Sequence, residues 1–209
     1  MNDSFIEKKK TQFINPLPGR AAQYKMAPRI ARESNPAPNA RIACVLALLY
    51  PKNNDWNIVL IERMPSNNIN DRHSGQISFP GGKYETSDGS LSKAALREAE
   101  EEIGVISKDI SIIGQMSDMY IPVSNFLVHP FVGYMDYRPK FIPQPSEVKD
   151  ILEVPIPKLQ DPSTIQFTDL KIPTGLTLKA VPHYNLNGHI VWGATAMMLS
   201  EFLEVVNVD

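Results

Sequence analysis

The feature of the sequence that most constrains the fold lies between residues 81 and 105, where a double glycine precedes a helix rich in carboxylates. Glu98, Glu101 and Glu102 occupy positions i, i+3 and i+4, so an α-helix places them on one face. Crowded carboxylates repel one another unless a cation joins them. Hard oxygen ligands suit Mg²⁺ or Mn²⁺, and Mg²⁺ commonly shares its coordination shell with substrate phosphates. The spacing therefore indicates phosphate chemistry.

Further residues around the helix argue against a merely solvated acidic face, which is the usual meaning of a Glu-rich helix. Gly81 and Gly82 allow a sharp backbone turn that leaves a carbonyl directed at the metal site. Arg97 stands beside the carboxylates, and Asp88 lies upstream where it can clamp that arginine. Gly104 predicts a left-handed cap at the end of the helix.

This pattern resembles the Nudix box, the loop and helix signature of hydrolases that cleave a diphosphate linked to another moiety. The matching residues are Gly82, Asp88, Arg97, Glu98, Glu101, Glu102, Gly104 and Val105. Asp88 replaces the usual glutamate, and one extra residue separates it from Arg97. Both departures resemble those of the coenzyme A diphosphatase branch, to which residues 79–83 and 95–104 are also similar.

The resemblance to this branch extends over nearly the whole chain. Residues 73–82 resemble its substrate-specificity segment, in which an arginine precedes the glycine-rich run. The expected arginine position holds Asp71, and Arg72 follows one place later. Further similar segments are Leu17–Arg20, Tyr120–Pro122, Pro130–Gly133, Glu147–Val148, Leu152–Pro155 and Ile190–Ala196.

The resemblance implies a fold, a reaction and a substrate. The fold is an α/β/α sandwich with a mixed central sheet. The reaction is metal-dependent hydrolysis of a diphosphate, with coenzyme A or its thioesters as substrate and 3',5'-ADP and a 4'-phosphopantetheine compound as products. Two alternatives are kept, namely a Nudix diphosphatase for ADP-ribose or another nucleoside diphosphate derivative, and a non-catalytic ligand sensor. The sensor is disfavoured because such proteins usually lose carboxylates of the box.

The same resemblance assigns roles within the box. Glu98 and Glu102 are the expected principal ligands of Mg²⁺ or Mn²⁺, with the Gly82 carbonyl as a backbone ligand and Glu101 as an additional or water-mediated one. Arg97 has an architectural role. Water is the nucleophile, and its proton goes to Glu101 or to Glu147. Alternatively, Glu147 is a solvated loop carboxylate or the cap of a helix over residues 148–152.

Substrate contacts are expected from residues before and within the glycine-rich segment. Arg63 and Arg72 could bind phosphates through their planar guanidinium groups, or they could form surface ion pairs. His73 could brace the loop or approach the substrate, and Gly81 and Gly82 face the substrate in the same assignment. Cys44 lies in an apolar strand, which predicts a buried thiol instead of a nucleophile.

Hydrophobic patterning divides the chain into an N-terminal arm, residues 1–40, and a Nudix hydrolase domain, residues 41–209. The arm contains a predicted short helix at Arg20–Met26 and a proline-rich stretch. Predicted strands are Ile42–Tyr50, Asn57–Glu62, Ile110–Tyr120, Leu127–Asp136, Thr164–Leu170 and Leu176–Pro182. Predicted helices are Leu91–Ile103, capped by Ser90 or Ser92, and Trp192–Val205.

Composition agrees with one soluble enzyme domain. The 209 residues include 21 Lys plus Arg and 23 Asp plus Glu, a balance that gives no sign of a nucleic-acid or membrane surface. The polar N-terminal segment does not read as a secretory signal. The single cysteine excludes an intrachain disulfide and fits a reducing cytoplasm. The expected partner is a small diphosphate substrate, and a homodimer is left open.

Overall fold

The computed structural model describes residues 3–29, 34–66, 73–172 and 175–207, with the side chains of residues 3–5 excepted. Its α-helices are Asp3–Gln12 (α1), Gly19–Gln23 (α2), Leu91–Ile103 (α3), Ile156–Gln160 (α4) and Gly193–Asn207 (α5). Its strands are Arg41–Lys52 (β1), Asp55–Arg63 (β2), Ile77–Ser78 (β3), Gly81–Lys83 (β4), Ser111–Gln115 (β5), Met119–Ile121 (β6), Phe126–Tyr134 (β7), Val148–Pro155 (β8), Ile165–Lys171 (β9), Thr177–Leu186 (β10) and His189–Trp192 (β11).

Strand β1 is the centre of a mixed sheet. It pairs in parallel with β7 along its length, whereas its pairings with β2 and β4 are antiparallel. Residues Leu49 to Lys52 pair with β2, and residues Ala43 to Val45 pair with β4. The glycine-rich segment therefore enters the sheet where β1 exchanges one antiparallel partner for another. The remaining strands β3, β8, β5 and β6 extend this sheet through β2 and β7.

Alternate residues of β1 point to opposite faces of the sheet, as in any strand. Ala43, Ala47 and Leu49 join a core that includes α5, whereas Cys44, Leu46, Leu48 and Tyr50 join a core that includes α3. The sheet is thus covered by α3 on one face and α5 on the other. The α/β/α sandwich predicted from the sequence is confirmed.

The N-terminal arm contributes to the core on the α5 side. Ile6 and Met26 are buried there. The predicted short helix is present as α2 followed by a 3₁₀ turn at Tyr24–Met26. The sequence analysis did not predict α1.

The region around β8 differs most from the sequence-based expectation. A helix over residues 148–152, one alternative for Glu147, is wrong because these residues belong to a strand that pairs with β2 from Leu60 to Arg63. Apolar side chains from both faces of β8, including Val148 and Leu152, are buried. A strand that is buried on both faces can be recognised only when its partner strand, β2, is known.

A second, three-stranded sheet, β11-β10-β9, follows. The strand expected at Leu176–Pro182 continues to Leu186, and β11 was not predicted. The strand expected at Ile110–Tyr120 is divided into β5 and β6 by residues 116–118, which are not in a strand. Among the described residues, no helix has the length and apolar character needed to cross a membrane.

Candidate functional site

The glycine pair brings backbone and carboxylate into close contact. Gly81 has φ of +148°, and a Cβ there would lie 2.3 Å from the Cys44 carbonyl oxygen. A Cβ on Gly82 would lie 2.5 to 2.7 Å from the carboxyl atoms of Glu98. Glycine is required at both positions because β4 packs against β1 and the Glu98 carboxyl group packs against the backbone of Gly82.

Helix α3 has defined ends, so its register relative to the glycines is fixed. Ser90 is the N-cap, and its hydroxyl accepts a hydrogen bond from the Lys93 N–H at 3.3 Å. Gly104 ends the helix with φ of 70°, and a Cβ there would meet Ile142 at 2.8 Å. Both bounds of the helix and the glycine cap agree with the sequence-based prediction.

Arg97 joins the loop to the helix. Its Nε donates to Asp88 Oδ1 at 2.6 Å and its Nη2 donates to Oδ2 at 3.2 Å, the fork geometry that arginine provides. Nη2 also donates to the Lys83 carbonyl oxygen at 3.2 Å. The hydrogen bond from Arg97 lowers the pKa of Asp88. The predicted contact between these two residues is present.

Glu98 and Glu102 flank the glycine pair. The Gly81 N–H donates to Glu102 Oε2 at 2.7 Å, and the Arg63 Nη1 lies 3.4 Å from Glu102 Oε1. Burial raises the pKa of Glu102 to about 7 and also raises the pKa of Glu98. A buried carboxyl group with so few donors favours its neutral form unless a further positive charge arrives.

Glu101 is the most exposed of the three carboxylates, with a side chain that is 57% exposed. Arg97 joins it to Glu98, because the same Nη1 donates to Glu101 Oε2 and to Glu98 Oε1, each at 3.0 Å. Within the described ranges, no three His, Cys, Asp or Glu side chains form a group able to hold one metal ion. The arrangement offers two carboxylates and the Gly82 backbone, an oxygen-only donor set of the kind that Mg²⁺ and Mn²⁺ accept.

Glu147 comes to the same region from the loop between β7 and β8. Its carbonyl oxygen accepts a hydrogen bond from the Met64 N–H at 2.7 Å, and the nearby Gln144 N–H donates to the Glu102 carbonyl oxygen at 2.9 Å. The charge of Glu147 raises the pKa of both Glu98 and Glu102. The exposed Glu147 carboxyl group therefore lies within electrostatic reach of the buried pair.

The residues proposed to contact the substrate lie in different surroundings. Arg63, at the end of β2, reaches Glu102, as described above. His73 Nδ1 lies 3.3 Å from Gln76 Oε1, a contact that braces the loop before β3. Arg72 lies outside the described residues. Cys44 is fully buried, and burial raises the pKa of its thiol to about 12, in agreement with a structural role.

One cluster of polar side chains, at the end of β1 remote from β4, was not predicted from the sequence. Arg138, Lys52 and Tyr50 all donate hydrogen bonds to Glu153. These partners are separated from Glu153 by 15 to 103 positions. No local spacing could have indicated their contact.

Comparison with known proteins identifies the family. A sequence model described as the NUDIX domain matches residues 40–170. The chain belongs to this family. It is a hydrolase of diphosphate bonds in small molecules, and its metal requirement is for a divalent cation.

Two proteins of similar sequence share one name. "Uncharacterized Nudix hydrolase NudL" from Photorhabdus laumondii is 31% identical over 136 residues, which is 65% of this chain and 71% of that relative. The protein of the same name from Yersinia enterocolitica is 31% identical over 137 residues, 66% of this chain and 69% of the relative.

Solved structures show the same fold. The Nudix hydrolase RenU from M. smegmatis has a TM-score of 0.54 at 15% identity, covering 79% of this chain and 85% of that one. The MutT protein from Methanosarcina mazei has a TM-score of 0.51 at 18% identity, with coverage of 81% and 96%.

Proposed function

We propose that the substrate is coenzyme A or one of its thioesters and that the products are 3',5'-ADP and 4'-phosphopantetheine or its acyl derivative. The observation that carries the chemistry is the placement of Glu98 and Glu102 on either side of Gly81–Gly82. The choice of substrate rests on the likeness of residues 73–83 and 95–104 to the coenzyme A diphosphatase branch. An aspartate at position 88 supports the same choice.

Glu98 and Glu102, with the Gly82 carbonyl, would hold Mg²⁺ or Mn²⁺, and Glu101 would contribute through a water molecule. A bound divalent cation neutralises diphosphate oxygens and lowers the barrier to attack by water. Arg97 keeps the loop on α3 through Asp88 and the Lys83 carbonyl. Arg63 brings a positive charge next to Glu102 and toward substrate phosphates.

Glu147 is the favoured general base. Its residue is exposed, its backbone is hydrogen-bonded to Met64, and its charge raises the pKa of both Glu98 and Glu102, which supports a place for it beside a water molecule near them. Glu101, the second candidate, is engaged by Arg97. A base needs a free lone pair directed at the proton that it accepts.

Two alternatives follow from the same site. Hydrolysis of ADP-ribose or another nucleoside diphosphate derivative needs the same carboxylates and differs only in substrate contacts. A ligand sensor without catalysis would have no use for Glu98, Glu102 and the Arg97–Asp88 contact together, so it is disfavoured.

The proposal includes a cytoplasmic location. Cys44 is the only cysteine of the chain, and it is a buried thiol. A protein without disulfides suits a reducing compartment. A homodimer is compatible with this proposal and is not required by it.

A substrate panel tests the proposal. Coenzyme A, dephospho-coenzyme A and ADP-ribose are incubated with enzyme and either Mg²⁺ or Mn²⁺, and the products are identified by mass. We expect kcat/KM for coenzyme A to exceed the other two by about tenfold or more, because a site that binds the 3'-phosphate loses that contact with either analogue. Arg72→Ala should narrow this difference. A preference for ADP-ribose that Arg72→Ala leaves unchanged would support the alternative.

A further inference from the structure

Residues 135–147 join β7 to β8 and carry Glu147. This 135–147 loop docks on the C-terminal end of α3. The Ile142 N–H donates to the Ile103 carbonyl oxygen and the Gln144 N–H donates to the Glu102 carbonyl oxygen, each at 2.9 Å. Carbonyls in the last turn of a helix have no partner within the helix. The loop therefore supplies the missing donors to the helix that carries Glu98 and Glu102.

The beginning of the loop is fixed by a separate set of contacts, here called the Glu153 clasp. Arg138 grips Glu153 with two hydrogen bonds, Nε to Oε2 at 3.1 Å and Nη2 to Oε1 at 2.8 Å. Tyr50 Oη donates to Oε2 at 3.1 Å and Lys52 Nζ donates to Oε1 at 3.0 Å. Burial alone would raise the pKa of Glu153, but hydrogen bonds from Arg138, Lys52 and Tyr50 lower it.

The clasp closes the loop at its base. It connects Arg138, near the start of the loop, to β8, the strand that follows Glu147. The Phe141 ring reinforces this closure, because it packs edge-on against the ring of Tyr50 at 5.2 Å between centroids. Along the chain, Glu147 thus follows the residues that bind the end of α3 and precedes Glu153, so the segment that carries it is held on both sides.

We propose that Arg138 and Glu153 are positioning residues that hold Glu147 beside Glu98 and Glu102. This inference rests on the proposed role of Glu147 as general base. An ordinary exposed ion pair would contribute little. The clasp differs because Arg138 binds in bidentate geometry and its partner Glu153 is only 17% exposed. Small displacements of a catalytic group are costly, so loss of the clasp should affect turnover.

The test combines single and double substitutions. Arg138→Ala should lower kcat about tenfold with little change in KM, because the base is displaced while the phosphate contacts remain. Arg138→Lys should restore part of that loss, since it keeps the charge without the fork. Glu147→Gln should lower kcat by about 10²-fold. In the Glu147→Gln background, Arg138→Ala should have no further effect, because the group that it positions is already absent.

A matched control and a second measurement separate positioning from general destabilisation. Lys179→Ala removes another ion pair, to Asp169 at 2.7 Å, and should leave kcat unchanged. Hydrogen exchange of the Gln144, Glu147 and Val148 amides, which are hydrogen-bonded in the loop, should accelerate about tenfold in Arg138→Ala. The same amides should be unaffected in Lys179→Ala.

The outcomes distinguish the two levels of the proposal. If Glu147→Gln keeps normal kcat, the proposed role of Glu147 fails, and the positioning role fails with it. If Glu147→Gln loses activity but Arg138→Ala has no effect, or lowers kcat by the same factor in both backgrounds, the clasp does not position Glu147. The proposed base would then stand, and the inference about Arg138 and Glu153 would be overturned.

Discussion

Each face of the sheet carries a buried glutamate on its covering helix, and the two are satisfied in different ways. Glu201 on α5 accepts hydrogen bonds from the Gly19 N–H at 3.2 Å, the Ser117 N–H at 3.2 Å and the Gln23 Nε2 at 2.8 Å. Glu102 on α3 accepts one short bond, from the Gly81 N–H at 2.7 Å, and has a longer contact of 3.4 Å with Arg63.

The difference gives Glu201 an architectural role and supports the proposed role of Glu102 as a metal ligand. Glu201 joins the N-terminal arm and the segment between β5 and β6 to the last helix, and its donors are all supplied by the protein. Glu102 lies near the charges of Glu98 and Glu147, which disfavour its ionised form. Buried polar groups are normally fully hydrogen-bonded. A carboxyl group left short of donors beside like charges indicates a place for an external cation.

The largest effect should come from Glu102→Gln. This change keeps size and polarity but removes the charge that anchors a divalent cation. Because metal assistance contributes several kcal/mol to phosphoryl chemistry, kcat/KM should fall about 10³-fold or more. Steady-state kinetics with Mg²⁺ and Mn²⁺ would measure this. Near-normal metal-dependent turnover would show that Glu102 is not a metal ligand.

The matching change on the other face is Glu201→Ala. Removing this side chain leaves the Gly19 and Ser117 N–H groups and the Gln23 amide without their acceptor, so the free energy of unfolding should fall by about 3 kcal/mol. Urea denaturation in the presence of a chelator would measure the change. The kcat of the folded fraction should be nearly unchanged at a temperature well below the midpoint of unfolding. A loss of kcat without a loss of stability would contradict the architectural role.

The contrast also explains which parts of the molecule could be predicted from sequence. Helix α3 was predicted with its observed bounds because its signals are local. They are the Ser90 cap, the alanines at positions 94, 95 and 99 that allow close packing, and the Gly104 terminator. The Arg97–Asp88 contact joins residues nine positions apart, so short-range geometry was enough to predict it.

Features that depend on distant partners were not predicted. The Glu201 carboxyl group binds Gln23 and Gly19 across 178 and 182 positions. Strand β8 is specified by its pairing with β2. A sequence shows the local pattern of a segment, but only the folded structure brings it to a partner that lies far along the chain.

The smallest effect concerns the stability of the metal-free protein. The pKa of Glu102 is raised from its usual 4.5 to about 7 in the folded protein, so between these values the unfolded chain releases this proton more readily than the folded protein. The free energy of unfolding should therefore decrease as pH rises through this window. Glu102→Gln removes the dependence of the free energy of unfolding on the ionisation of this residue. With a chelator present, the variant should be more stable than the parent at pH 8 by about 2 kcal/mol, and the difference should vanish near pH 4.5.

Other titrating groups do not obscure this comparison. Asp88 has a lowered pKa, so its stabilising contribution is lost only as pH falls below its usual value of 3.8, outside the window. Glu98 has a raised pKa, but it is present in both proteins. Urea denaturation at several pH values with a chelator measures the difference directly. A stability difference that is the same at pH 5 and pH 8 would mean that Glu102 is ionised without cost in the absence of metal. Its few donors would then be sufficient, and the distinction between Glu102 and Glu201 would not hold.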